Sequence, residues 1–557
     1  MTSEWTFAAL SIPLGLVLAA LSGGGRGAVV EARRGPTPGE GAQAVALAAA
    51  LDARIEATWT PDDVPAPEVD ALTFARRVWL DLLGTIPSLE ELREVEALAA
   101  RRPDDPAATR AALVERALAD PRFPPALAER LARIAVGAEA RPDDLLYRRR
   151  RLVAWLTAQV RAGGRWDALV RELIRAEGLS TDQPAVNFVI SQRADPLDLA
   201  GRSARAFLGV RLDCARCHDH PFARWKQEEF QGLAAYFARV ERDLAGLRER
   251  PAGELVLDAS GVLAPRRQAT QAGDREVRPA VPFAPEALPA DAPNRRAALA
   301  AWITHPDNPY FAKAIVNRLW GWLIGRALVE PPDELDTTAP RDRELLDLLA
   351  RDLVAHGYDL ARTIRAIVLT RAYARDSRAP DGVDEEQAVE RWLCAPLEPL
   401  RADQLAAAIL QTTSLTPLDR DPSWLLRLAR NDALRKFVRR RGDDLSAELP
   451  ERETLLQRLQ LMNGGLVREV TKSDDAFRAI PRLPLLASSD ALAVEGAFRV
   501  ALARAPSPTE RAHFSARLAA AGEAARTARR DENAARAAAM SDLFWSLVNT
   551  TEFAHTR

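Results

Sequence analysis

Cysteine is scarce in this sequence. Its 557 residues hold three, Cys214, Cys217 and Cys394, too few for a disulfide scaffold. Histidine is nearly as rare, at six, and none of the six falls in a His-Glu-x-x-His zinc-protease pattern. The chain also lacks a Gly-rich phosphate loop closed by Lys and a Gly-x-Ser-x-Gly elbow, which removes the commonest nucleotide-binding and serine-hydrolase signatures. Charge of one sign is missing too. Seventy-six basic and 78 acidic side chains leave a net charge of −2, so no global field draws the chain to nucleic acid or to an anionic membrane. The one strong basic run, Arg435 to Arg441, reads as a solvated face or loop. Beyond Leu21 no apolar stretch is long enough to span a bilayer.

What remains is the composition of a soluble globular protein, 47% hydrophobic and 28% charged, long enough for two or three domains. Trp5 to Leu21 are nearly all apolar or small, and Ser22-Gly23-Gly24-Gly25 follows. Residues 1–22 therefore read as a signal peptide or membrane anchor, with cleavage after Ser22 fitting a small-residue site. Glu4 precedes that stretch, while Arg26, Arg33 and Arg34 follow it, the reverse of the usual charge bias. Export to the periplasm or cell envelope is the expected destination, with membrane contact only through this segment if it is retained. Residues 23–66, rich in Gly, Ala and Pro, read as a flexible tether with at most one short helix between Ala44 and Thr58.

From Asp70 onward helical patterns dominate. Phe74, Val78, Leu82 and Leu83 share a face that Gly84 stops, and Ser88 with Glu91 forms a capping box for the next helix. The pattern returns near the C-terminus, where Ser507 caps a helix whose first turns hold Pro508 and Glu510. Asp195-Pro196 opens a helix that ends at Gly209, and a further helix is expected with Phe230, Leu233, Phe237 and Val240 on one face. Between 246 and 294 the helical period fails. Leu255 to Leu257 and Val262-Leu263 read as a small hairpin, and a Pro-rich linker follows. Helices resume at Arg295: one closed by Gly325, one ending at His356-Gly357, one starting at Asp359, and a last one carrying Leu543, Phe544, Leu547 and Phe553. The expectation is a mainly α, multi-helix protein of two helical domains, 67–245 and 295–557, with a β-hairpin and linker insertion between them.

The chemistry concentrates in Cys214-Ala215-Arg216-Cys217-His218. Two thiols three positions apart, followed at once by an imidazole, form the c-type haem attachment pattern. Both sulfurs can reach the two vinyl groups of a porphyrin while the next residue offers its ring nitrogen to the iron as proximal ligand. A structural disulfide, a zinc half-site and a pair of buried thiols are the alternatives. Zinc requires four ligands, and Cys214, Cys217 and one of His218 or His220 leave only Cys394 as a further thiol. His220 reads as an exposed turn histidine, or as a partner for a propionate. Met462, His305 and His356 are the options for a sixth iron ligand, although a lone Met on an apolar helix is usually core and His356 sits where a helix C-terminal histidine belongs. Phe222 and Trp225 offer an aromatic edge beside the motif, and the haem reading calls for an apolar cavity next to His218. The Asn317-Arg318-Leu319-Trp320 group reads as a helix interior in which Arg318 pairs with a carboxylate such as Asp333.

Longer blocks carry a resemblance. "FARRVWLDLLGTIPSLEEL", "FLGVRLDCARCHDHPF" and "QEEFQGLAAYFARV" resemble the planctomycete cytochrome-type domain of unknown function, PSCyt. "NPYFAKAIVNRLWGWLIGRALVEPPDELD", "LLDLLARDLVAHGYDLARTIRAIVLTRAY", "LQLMNGGLV" and "DLFWSLVNTTEF" resemble successive blocks of the planctomycete-specific PSD domain that usually follows it. The resemblance implies an exported protein, described as cytochrome-like for its Cys-x-x-Cys-His block, with no settled reaction. It also implies a possible redox partner and a neighbouring exported sulfatase- or phosphatase-like protein. Many relatives carry a separate cytochrome c domain in front. Here only the tether stands in that place, so a single haem c at Cys214, Cys217 and His218 is the most this chain would hold. The competing expectation is a structural or polysaccharide-associated envelope protein in which the same block is a disulfide-held or metal-held loop.

Overall fold

A computed structural model describes residues 38–137, 147–243, 245–258, 263–266, 274–418, 436–437, 455–471 and 479–556. The N-terminal apolar segment, residues 23–37 of the tether, and all of the basic run except Lys436 and Phe437 lie outside the described residues. Among the described residues no helix is long and apolar enough to cross a membrane.

The protein is mainly α, two helical parts flanking a small antiparallel β region. The expected punctuation sits where the side-chain chemistry puts it. Gly84 ends the helix Ala71–Val78 and its π-turn Trp79–Leu83 in the left-handed conformation, φ 74°. Ser88 and Glu91 complete their capping box, as do Ser507 and Glu510. Gly325 closes Phe311–Ile324, His356 caps the end of Arg343–Ala355, and Asp359 accepts from the amides of Ala361 and Arg362 at the start of Leu360–Val368.

Four features differ from the expectation. The short helix expected within the tether is instead a 19-residue one, Pro38–Glu56, whose Ala44, Leu47, Leu51 and Ile55 are buried in the first core. Their spacing of three and four residues makes one stripe, and that stripe finds a partner across the chain. The helix after the motif stops at Ala235, so Phe237 falls in a turn and Val240 begins a strand. That strand, Val240–Asp243, pairs with Gly246–Glu249. The expected hairpin is present as Glu254–Leu257 against Leu263–Arg266, with Arg275–Val277 added on the other edge; the expected turn and Val262 lie outside the described residues. The last helix, Glu532–Val548, breaks before Phe553, because the Thr550 side chain caps a separate turn Thr551–Ala554.

Burial does not respect the insertion. One hydrophobic core runs from Ala44 to Trp392 and includes Phe207, Phe230, Trp302, Phe311, Leu319 and Ile367, drawn from both sides of it. A second core gathers Leu405, Ile409, Val494, Phe498, Phe544 and Phe553 and takes in Leu80, Ile86 and Leu89 from the N-terminal part. The β region is tied down by polar contacts. Leu247 and Gly178 exchange backbone hydrogen bonds of 2.7 and 2.9 Å, and the buried Arg296 donates both to Glu249 of the second strand at 3.2 Å and to the carbonyls of Ile174 and Ala176 at 3.0 Å each.

Candidate functional site

Asp195 accepts from the amides of Leu197 and Asp198, at 2.9 Å each, and starts the helix Pro196–Ser203. The chain continues through a π-turn, Ala204–Leu208, to Gly209 at φ 65°. Three residues later a 3₁₀ helix, Leu212–Arg216, begins. In a 3₁₀ helix residues i and i+3 stand on one side. Leu212 and Ala215 are buried as one such pair, while Cys214 and Cys217, the latter capping the end of the helix, are exposed. Both thiols are exposed and unjoined.

His218 follows on the surface. Its Nδ1 lies 2.6 Å from the carbonyl oxygen of Asp219. A carbonyl only accepts, so Nδ1 carries the proton and Nε2 keeps its lone pair for a ligand. The Asp219 carboxylate accepts from the Gln227 amide at 3.0 Å and from Lys226 Nζ at 2.9 Å. Those two bonds, the Gln227 one foremost, hold its pKa below the usual aspartate range. They also tie the motif to the helix Gln227–Ala235. His220 has a different task. Its Nδ1 accepts from the amides of Phe222 (3.1 Å) and Ala223 (2.9 Å), closing the turn after the motif.

The aromatic pair beside the motif is split. Phe222 is 90% exposed, whereas Trp225 is buried against Phe283 and Tyr310, with ring centroids 6.3 Å away in both cases. The motif therefore lies on an open surface. A cleft of about 790 Å³ exists elsewhere, between Leu89, Arg93 and Ala97 on one side and Leu483, Leu492 and Arg499 on the other. Among the described residues, no three His, Cys, Asp or Glu side chains form a group able to hold a metal ion.

The other histidines and Met462 are engaged elsewhere. His356 Nδ1 donates to the Asp352 carbonyl at 2.9 Å, as a helix C-terminal histidine does. His305 Nδ1 accepts from the Asp307 amide at 3.3 Å. Met462 is 38% exposed on the helix Leu455–Asn463, where its carbonyl receives the indole N–H of Trp545. None of these contacts joins its residue to His218.

Sequence reasoning missed the turn Asp333–Asp336. Asp333, nearly buried, pairs with Arg211 at 2.9 Å and Arg205 at 3.4 Å, and Glu334 pairs with Arg211 at 2.8 Å. The Leu335 amide donates to the Gly209 carbonyl at 3.0 Å, and the Trp225 indole donates to Asp336. Arg318 donates to the carbonyls of Ala314 and Arg205 at 3.0 and 2.8 Å. Asn317 exchanges two 2.9 Å bonds with the backbone of Val329, which fixes the approach to the same turn. The sequence signal was a dense acidic run, Asp333-Glu334-Leu335-Asp336, facing the two arginines on either side of Gly209.

Two families match the chain. PSCyt2, a protein of unknown function (DUF1549), matches residues 50–242, and PSD1, a protein of unknown function (DUF1553), matches residues 295–424. No curated protein and no solved structure matches. The Cys-x-x-Cys-His turn falls in the first match and the acidic turn that grips it falls in the second. The chain thus belongs to the proteins that carry PSCyt2 followed by PSD1.

Proposed function

We propose that this chain is an exported haem c-binding protein with an electron-transfer or haem-linked redox role. The observation that supports the reading is the state of one turn. Two free thiols at i and i+3 are both exposed, and the adjacent His218 is held at Nδ1, which leaves Nε2 as the nitrogen for a ligand. That donor set fits the group: Cys214 and Cys217 would form the thioethers, and His218 would be the proximal ligand. When bound, haem c supplies one-electron exchange. The chain's own residues hold the imidazole through the Asp219 carbonyl and keep a carboxylate charged at Asp219, and Phe222, four residues past His218, is exposed. His220, its Nδ1 occupied, offers only an Nε2–H, suited to a propionate. Export follows from the apolar segment Trp5–Leu21 together with haem attachment of this kind, performed outside the cytoplasmic membrane. An exported sulfatase- or phosphatase-like protein and a redox partner remain the partners this reading names.

A second reading has the open surface in its favour. With Cys214, Cys217 and His218 all exposed, the pair of thiols would serve as a staple or metal clamp in a structural or polysaccharide-associated envelope protein. Co-expression with a c-type maturation system decides. A reduced-minus-oxidised haem band, lost in Cys214→Ala/Cys217→Ala, is the expected result. A colourless product with an oxidised Cys214–Cys217 pair or bound zinc overturns the haem reading.

A further inference from the structure

We propose that the acidic turn Asp333–Asp336, in the PSD1 match, positions the Cys-x-x-Cys-His loop, and that Asp336 sets the place of His218 through Trp225. The motif loop is gripped at both ends by this one turn. At its start, Arg211 is held by Asp333 and Glu334, and the Gly209 carbonyl by the Leu335 amide. At its end, Trp225 is held by Asp336. Close approach is built into the start of the loop. A Cβ on Gly209 would stand 2.7 Å from Leu335 Cδ1 and 3.2 Å from the Pro332 carbonyl oxygen.

From Trp225 the constraint passes inward by consecutive hydrogen bonds. The Trp225 carbonyl accepts from the His220 amide at 2.8 Å. Two residues beyond Trp225, the Gln227 amide holds the Asp219 carboxylate, and the Asp219 carbonyl holds His218 Nδ1. Asp336 touches neither the thiols nor the imidazole in this chain of contacts, so it is a positioning residue. A loop tied at both termini surrenders its conformational freedom when the protein folds, not when a ligand binds, which favours whatever the loop captures. The PSCyt2 region alone would present this loop with its outer anchors missing.

The consequence for haem rests on the reading above; the positioning itself does not. Hydrogen exchange measured on peptides spanning 214–224 in the full chain tests it. Asp336→Ala and Trp225→Phe should each speed exchange there by about tenfold or more, while peptides from the helix Asp490–Leu502 stay unchanged. Asp336→Asn, which keeps an accepting oxygen, should restore slow exchange. Unchanged exchange over 214–224 in both the Ala and Phe variants overturns the proposal, as does an Asn variant as fast as the Ala one. In cells with the maturation system, Asp336→Ala should lower the haem-loaded fraction and Asp336→Asn should restore it. Absence of haem from the wild-type chain would remove the redox reading and leave the exchange measurement to decide the positioning role.

Discussion

Arg76 donates to the carbonyl oxygen of Phe553, 477 residues further along, at 3.0 Å, and its guanidinium lies 5.7 Å from the centre of that residue's ring. A second donor reaches the Ala501 carbonyl at 3.0 Å. Burial pulls the Arg76 pKa down to about 10, still far above neutral pH, so the charge persists inside. Arg76→Met keeps the volume and leaves two buried carbonyls without this donor. We expect a loss of about 2–4 kcal/mol, measured by denaturant unfolding followed by circular dichroism.

The three thiols should react in two classes. Cys214 and Cys217 are exposed, while Cys394 is 2% exposed and burial pushes its thiol pKa up. Alkylation of the reduced, haem-free chain followed by mass spectrometry should label Cys214 and Cys217 under native conditions and Cys394 only after unfolding. Rapid native labelling of Cys394 would contradict the packing around it.

Gly209→Ala should be costly for two reasons. The residue sits at φ 65°, where a side chain is strained, and the new Cβ would collide with Leu335. A loss of about 1–3 kcal/mol is expected, with local loosening at 205–211 visible by hydrogen exchange. Gly382→Ala is the control, since its φ of 79° carries the strain with nothing within 4 Å to strike.

Acid should weaken the junction at Asp403. Burial alone would raise that carboxyl's pKa, but Arg133 at 3.3 Å and Arg401 at 3.2 Å outweigh it and hold it far below the ordinary range. A depressed pKa in the folded state means the unfolded chain takes up the proton first. Its stabilisation is therefore complete above about pH 5, past the unfolded value of about 4, and is lost as pH falls. Asp403→Asn should lower stability at pH 7 and flatten the decline between about pH 5 and pH 3, read from melting temperatures across that range.

His220→Ala should leave the contact between His218 Nδ1 and the Asp219 carbonyl in place while loosening the turn after it. The Phe222 and Ala223 amides lose their acceptor, a cost of about 1 kcal/mol confined to an exposed loop. NMR of the imidazole protons should show the His218 Nδ1–H retained in His220→Ala and lost in His218→Ala.

Local chemistry was readable along the chain itself. Ser88 with Glu91, Ser507 with Glu510, Asp359, Gly84 and Gly325 each act within a turn or two, so neighbours in sequence already decide the outcome. The mainly α class and the Cys214, Cys217, His218 pattern were legible for the same reason. Tertiary structure decided what depends on a partner far away. The stripe through Ala44, Leu51 and Ile55 could have been a solvated tether until another surface covered it. Val240 could have extended a helix until Gly246 and the strand after it offered pairing. Asp333 and Asp336 were two acids among 78 until folding set them against Arg211 and Trp225, because burial and long-range hydrogen bonds leave no period in the sequence that produces them.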